Sequence, residues 1–247
     1  MGCRLYILIS GYQIIDKQKL IATAARDEKM DIPIPYYLAD FGEEKVLIDT
    51  GIADESGGLS KIHGVSEETN PVNALARLGI KPDQITHIIH THLHFDHAAN
   101  TKLFKNAKVI VQLEELRAAY FPGPGYKHGY VEKDIRDPAI NWYPIVGTKS
   151  MFSNELLIVP TPGHTPGHQS VLIKLSNHKP VLIAGDVAPL ADNVEKEIRP
   201  GVATDPYAAL YSIQSLKAVA SFFDAEIWYG HDPEFYSNCR VAPECYL

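Results

Sequence analysis

The sequence predicts an α+β fold in which sheets are covered by helices. Short apolar runs recur along the chain, each strand-sized and bounded by Gly, Pro, Asp or Asn. Helices are fewer, are clearly capped, and do not alternate regularly with those runs. No repeat, low-complexity tract or linker interrupts the 247 residues. Residues 1–247 therefore read as one domain, long enough to bury a substantial core.

Taken in order, the runs are Leu5–Ile9, Tyr36–Ala39, Val46–Ile48, Ile85–Ile89, Val109–Val111, Leu156–Val159, Ser170–Leu175, Val181–Ala184 and Ile227–Tyr229. The first is too short for a membrane span or a signal-peptide core, so it reads as a buried strand. "MGCRLY" carries Tyr6 where a myristoylation signal has Ser or Thr. The helix in "NPVNALARLG" has Asn70 as its cap, Pro71 at the first helical position and Gly79 to stop it. "LEELRAAY", 113–120, reads as a shorter helix. "DPYAALYSIQSLKAVASFF" repeats the cap with Asp205 and Pro206, and Leu210, Ile213, Leu216, Ala220 and Phe223 mark its apolar face. Residues 52–69 and 121–149 read as long loops, the second rich enough in aromatics to form a pocket wall.

A formal charge of −7 argues against nucleic acid or an anionic membrane as the main partner. Cys3, Cys239 and Cys245 are odd in number and lack a CxxC pair, which suits a reducing cytoplasm better than a disulfide framework.

The densest chemistry lies in "HTHLHFDH", residues 90–97. The strand before it loses its apolar run at Thr91. In an extended segment side chains two apart project the same way, so His92 and His94 can converge on one point. A turn or helix start could aim Asp96 and His97 at a second point nearby. Further donors follow at other strand ends, each beside a Gly: His164 in "TPGHTPGH", Asp186 in "VLIAGD" and His231 in "YGHD". Any one of them alone would more often be a turn or cap residue; four such sites in series make a specific signal. A set rich in His, with few carboxylates and no thiolate, suits two Zn2+ ions, with Fe, Co or Mn as alternatives. One assignment gives His92, His94 and His164 to one ion and Asp96, His97 and His231 to the other, with Asp186 bridging. His90 and His168 read as supports of this set. His63, His87 and His178 carry no constellation.

HxHxDH at 92–97, followed by His164, Asp186 and His231, resembles the metallo-β-lactamase superfamily. "VLIDTG", 46–51, is similar to that family's early strand. The resemblance implies a four-layer αββα sandwich with a dinuclear site at the edge of the two sheets, and a role for Asp49 in orienting ligands. Within the superfamily, "IPIPYYLADFGEEKVLIDTG", "HLHFDHAAN", "TPGHTPGHQSVLI", "DPYAALYSIQSLK" and "YGHD" most resemble the N-acyl-homoserine lactonases. That implies attack on a lactone ester by a hydroxide bridging two ions, with Asp96 shuttling a proton to the leaving alkoxide. Phe95, Tyr126 and His128 are the expected substrate contacts. The partner would be a small lactone or other ester, and a homodimer is allowed. The chain departs from the group at Pro189, where the group has a tyrosine; Tyr126, His128 and Tyr130 are candidates to replace it. Hydrolysis of another carboxylic ester, a thioester or a phosphoester is the rival reading. A redox diiron carrier fits less well, since those relatives replace a motif histidine with a carboxylate and His94 is present. A structural zinc needs only four ligands.

Overall fold

A computed structural model describes residues 2–53, 61–123 and 129–247. Twelve strands occur among them: β1 (Arg4–Asp16), β2 (Lys29–Asp40), β3 (Lys45–Ile48), β4 (Lys61–His63), β5 (His87–Ile89), β6 (Lys108–Gln112), β7 (Asn141–Ile145), β8 (Lys149–Met151), β9 (Leu156–Pro160), β10 (Gln169–Ile173), β11 (Val181–Ile183) and β12 (Glu226–Trp228). The helices are α1 (Lys17–Leu20), α2 (Pro71–Ala76), α3 (Phe95–Ala98), α4 (Leu113–Tyr120), α5 (Glu132–Ile135), α6 (Ala191–Glu195), α7 (Pro206–Phe223) and α8 (Pro233–Ser237).

A seven-stranded sheet has the order β4-β1-β2-β3-β5-β6-β7, and a five-stranded sheet the order β12-β11-β10-β9-β8. Alternation along each strand explains how they stack. Leu5 and Ile7 of β1, Tyr37 and Ala39 of β2 and Val46 and Ile48 of β3 meet Val171, Ile173, Val181, Ile183 and Trp228 of the other sheet in one cluster. Their neighbours Tyr6, Leu8, Tyr36, Leu38 and Leu47 face the opposite way, onto Ala74 and Leu75 of α2. Leu172 and Leu182 likewise turn outward onto Ile213, Leu216 and Ala220 of α7. The result is the four-layer αββα sandwich. Strands covered on both faces read as continuous apolar runs, which is why these strands stood out in the sequence.

The caps form as expected. Asn70 Oδ1 accepts from Val72 N–H at 3.0 Å, and Asp205 Oδ1 accepts from Tyr207 N–H and Ala208 N–H, each at 3.0 Å. The expected long loops are corrected by the structure. Residues 52–69 contribute β4, paired with β1. Residues 121–149 contain α5 and β7, and β8 begins at Lys149. Residues 54–60 and 124–128 fall outside the described part of these stretches.

A candidate metal centre at the rim of the sandwich

The carboxyl ends of β3, β5, β11 and β12 and the turn from β9 to β10 meet at one rim, the usual place for a site built on parallel strands. Asp49 follows β3, His92 and His94 follow β5, and α3 then turns Asp96 and His97 inward. His164 lies in the β9–β10 turn, Asp186 follows β11 and His231 follows β12. All seven candidate ligands are brought together. They form two groups: His92, His94 and His164, and Asp96, His97, Asp186 and His231, with the ligand atoms of each within 4.8 Å of one another.

Asp186 stands between the groups. Its Oδ1 lies 2.9 Å from His231 Nε2 and 3.3 Å from His97 Nε2. Its Oδ2 lies 3.4 Å from His164 Nε2 and 3.9 Å from His92 Nε2. Asp96 Oδ2 is 3.8 Å from His97 Nε2 and 3.9 Å from His231 Nε2.

The far side of each ring decides which nitrogen is free. His164 Nδ1–H donates to Val202 O at 2.8 Å and His231 Nδ1–H to Pro33 O at 2.9 Å. A carbonyl can only accept, so a proton is on Nδ1 and Nε2 is the nitrogen left to face a ligand. Asp49 does the same for His97, accepting from Nδ1–H at 2.8 Å. It also accepts from Thr91 N–H at 2.7 Å and Thr91 O–H at 2.8 Å. Asp49 holds this position at a φ of +60°, a left-handed conformation that Asp tolerates better than most residues.

Burial would raise the Asp49 carboxyl, but His97 and His90 outweigh it and hold it well below the usual range. Burial and neighbouring imidazoles push His92 and His94 well down, and burial also lowers His164. These three are neutral and ready to ligate. Burial also works against a charge on His97 and His231, yet Asp186 and Asp96 outweigh it and raise both. A cation would displace those protons. Buried His92 Nε2 has no hydrogen-bond partner among the described residues, and the buried His97 Nε2, Asp186 Oδ1 and His231 Nε2 face one another and Asp96 with no further donor or acceptor among those residues. Buried polar atoms are seldom left so. Inward lone pairs without donors, on imidazole and carboxylate, fit two divalent ions.

His90 and His168 support the set from behind. His90 Nε2 is 2.9 Å from Thr101 Oγ1, and His168 Nε2 accepts from Asp186 N–H at 3.0 Å. Phe95 heads α3 and packs against Ile32, Ile34, Ile52 and Leu190. Pro189 spends its carbonyl on His231 N–H, at 2.8 Å. Tyr130 is buried, with its hydroxyl donated to Glu115 Oε1 at 3.1 Å. Tyr126 and His128 lie outside the described residues. The sequence did not single out Glu115, Thr91, Thr101 or Gly129. Gly129 passes so close that a Cβ there would sit 2.3 Å from His94 Cδ2.

A family model described as the metallo-beta-lactamase superfamily matches residues 31–231. An N-acyl homoserine lactonase, AttM, of Rhizobium radiobacter is 31% identical over 258 residues, with 98% of each chain covered. An N-acyl homoserine lactonase of Bacillus sp is 34% identical over 252 residues, again with 98% of each chain covered. Among solved structures, an N-acyl homoserine lactone hydrolase with the product N-hexanoyl-L-homoserine at its catalytic metal centre superposes with a TM-score of 0.89. It is 32% identical, and 98% of each chain is covered. AidC, described as a dizinc quorum-quenching lactonase, has a TM-score of 0.71 at 20% identity, covering 94% of this chain and 88% of its own, and shares the fold.

Proposed function

The chain belongs to the metallo-β-lactamase superfamily, and from that membership we propose that it is a metal-dependent hydrolase that opens the ring of N-acyl homoserine lactones. The observation that carries the metal-dependent part is Asp186, whose two oxygens face two adjoining groups of ligand atoms. The lactone is supported by the relatives named for it over nearly their whole length. The chain is read as one hydrolase domain, residues 1–247. A reducing cytoplasm suits its three free cysteines. No helix among the described residues is long and apolar enough to cross a membrane.

His92, His94 and His164 would hold one ion and Asp96, His97 and His231 the other, with Asp186 shared. Zinc fits a donor set of imidazole and carboxylate. A pair of such ions supplies Lewis-acid polarisation of an ester carbonyl and acidifies water near neutral pH. The chain's own residues do the rest. Asp49, Val202 and Pro33 keep protons on the outer nitrogens of His97, His164 and His231, so their inner nitrogens stay available. Asp96, whose side chain is 11% exposed at the rim, carries a proton to the departing alkoxide. Phe95 lines the substrate's apolar part, and Tyr126 and His128 supply the polar contacts that Pro189 cannot.

Turnover of N-acyl homoserine lactones, thioesters and phosphodiesters, measured beside elemental analysis, tests this reading. Lactones are expected to lead, with two ions per chain. A phosphodiester or thioester turned over faster than any lactone would overturn the substrate assignment. A fully active enzyme with one ion would overturn the dinuclear centre.

A further inference from the structure

Glu115 is a carboxylate with 0% exposure, on a helix that supplies no candidate ligand. Burying such a group is costly unless donors surround it. Three donors do. Leu93 N–H donates to Oε1 at 3.0 Å and Tyr130 O–H to Oε1 at 3.1 Å, while Gly167 N–H donates to Oε2 at 3.1 Å. Leu93 lies between His92 and His94. Gly167 lies three residues past His164, in the turn from the other sheet. It sits so close to α4 that a Cβ there would fall 2.1 Å from Glu115 N. The Tyr130 ring rests against His94, with centroids 5.1 Å apart.

One carboxylate thus reaches the segments bearing all three histidines of the first group. We propose that Glu115 is a positioning residue that sets the spacing of His92 and His94 against His164, and so the affinity and geometry of the ion they hold. This rests on the metal-centre reading above. The chemistry requires a carboxylate. Glutamine has the same reach but offers one acceptor and one donor end. Its NH2 would meet either Leu93 N–H or Gly167 N–H, donor against donor, and release one of the two loops.

Chelated wild type, Glu115→Gln and His164→Ala are titrated with Zn2+ and with Co2+, whose visible absorption reports ligand geometry. Wild type should take up two ions; uptake of none would refute the metal-centre reading and the proposal with it. Glu115→Gln should bind one ion at least about tenfold more weakly, the range seen when groups orienting metal ligands are removed. The spectral change should match that of His164→Ala, while the second ion keeps its wild-type affinity. Both ions at wild-type affinity with an unchanged Co2+ spectrum would overturn the proposal. So would equal weakening of both, which is what general loss of structure produces. If Glu115→Gln fails to fold, Tyr130→Phe decides the matter. It removes one donor and leaves the carboxylate in place, and should shift the same Co2+ band and weaken the same ion. An unchanged band and affinity there would refute the role.

Discussion

Replacing Asp49 with asparagine exposes how the second ligand group is prepared. The side chain keeps its shape, but one end becomes a donor. Asp49 Oδ2 now accepts from His97 Nδ1–H at 2.8 Å and from Thr91 O–H at 2.8 Å, while Oδ1 accepts from Thr91 N–H at 2.7 Å. If the new NH2 takes the Oδ2 place, it can only donate to His97 Nδ1. The ring proton then moves to Nε2, the atom that should ligate. If the amide turns over instead, its NH2 faces Thr91 N–H. Leaving a buried donor unmet costs about 1–3 kcal/mol, which is roughly a tenfold to hundredfold loss in an equilibrium constant at 1.4 kcal/mol per decade. Either way, Asp49→Asn should weaken one ion by about 10–100-fold, the range for residues that orient metal ligands. Competition against a chromophoric chelator measures this directly. An Asp49→Asn protein holding both ions at wild-type affinity would refute the reasoning.

Three further outcomes follow from the packing and charge around the rim. Gly129→Ala would place a Cβ 2.4 Å from His94 Nε2, so it should displace that ring and weaken one ion by about tenfold or more; normal uptake of two ions would show that the loop simply retreats. Trp228 is 1% exposed between the sheets, and Trp228→Ala should cost about 3–5 kcal/mol in denaturant unfolding. A loss under about 1 kcal/mol would contradict the tight inter-sheet packing. Burial pushes His168 down to about 3 from an ordinary 6.5. Below pH 6.5 the unfolded chain therefore binds a proton that the native ring refuses, and stability is lost as pH falls toward 3, by up to about 1.4 kcal/mol per pH unit from this residue. With chelator present, the stability gap between wild type and His168→Gln should shrink on acidification; parallel curves would assign that pH dependence to other groups.

The central strands were readable because they are buried on both faces, and the runs at Val46–Ile48 and Val181–Ala184 needed no other clue. β4, β7 and β8 were not. Each sits at a sheet edge, where one side goes unpaired and little apolar area is required. β7 even holds Pro144, which an edge strand tolerates. Helices of a single turn, such as α3, are too short to show a 3.6-residue period. α8 differs, since Asp232 and Pro233 repeat the cap seen at Asn70 and Asp205 and mark its start in the sequence. The ligands were readable because four of them crowd into one short stretch after a strand, while His164, Asp186 and His231 each follow a strand beside a glycine. Glu115 was not, because nothing local separates it from exposed Glu114. Its burial comes from the His164 turn and Leu93 meeting over α4, a tertiary event that its neighbours in sequence do not encode.

The division of the rim between two sheets has a consequence for assembly. His92, His94, Asp96 and His97 belong to the larger sheet, and His164, Asp186 and His231 to the smaller. Neither half carries a complete set. A slip of one residue in β5 or β11 would turn its following donors to the opposite face. Ions that bind only the finished arrangement add their binding free energy to its stability. They therefore act as a fastener across the seam and as a check on register, because a chain whose sheets meet wrongly has nowhere to load them.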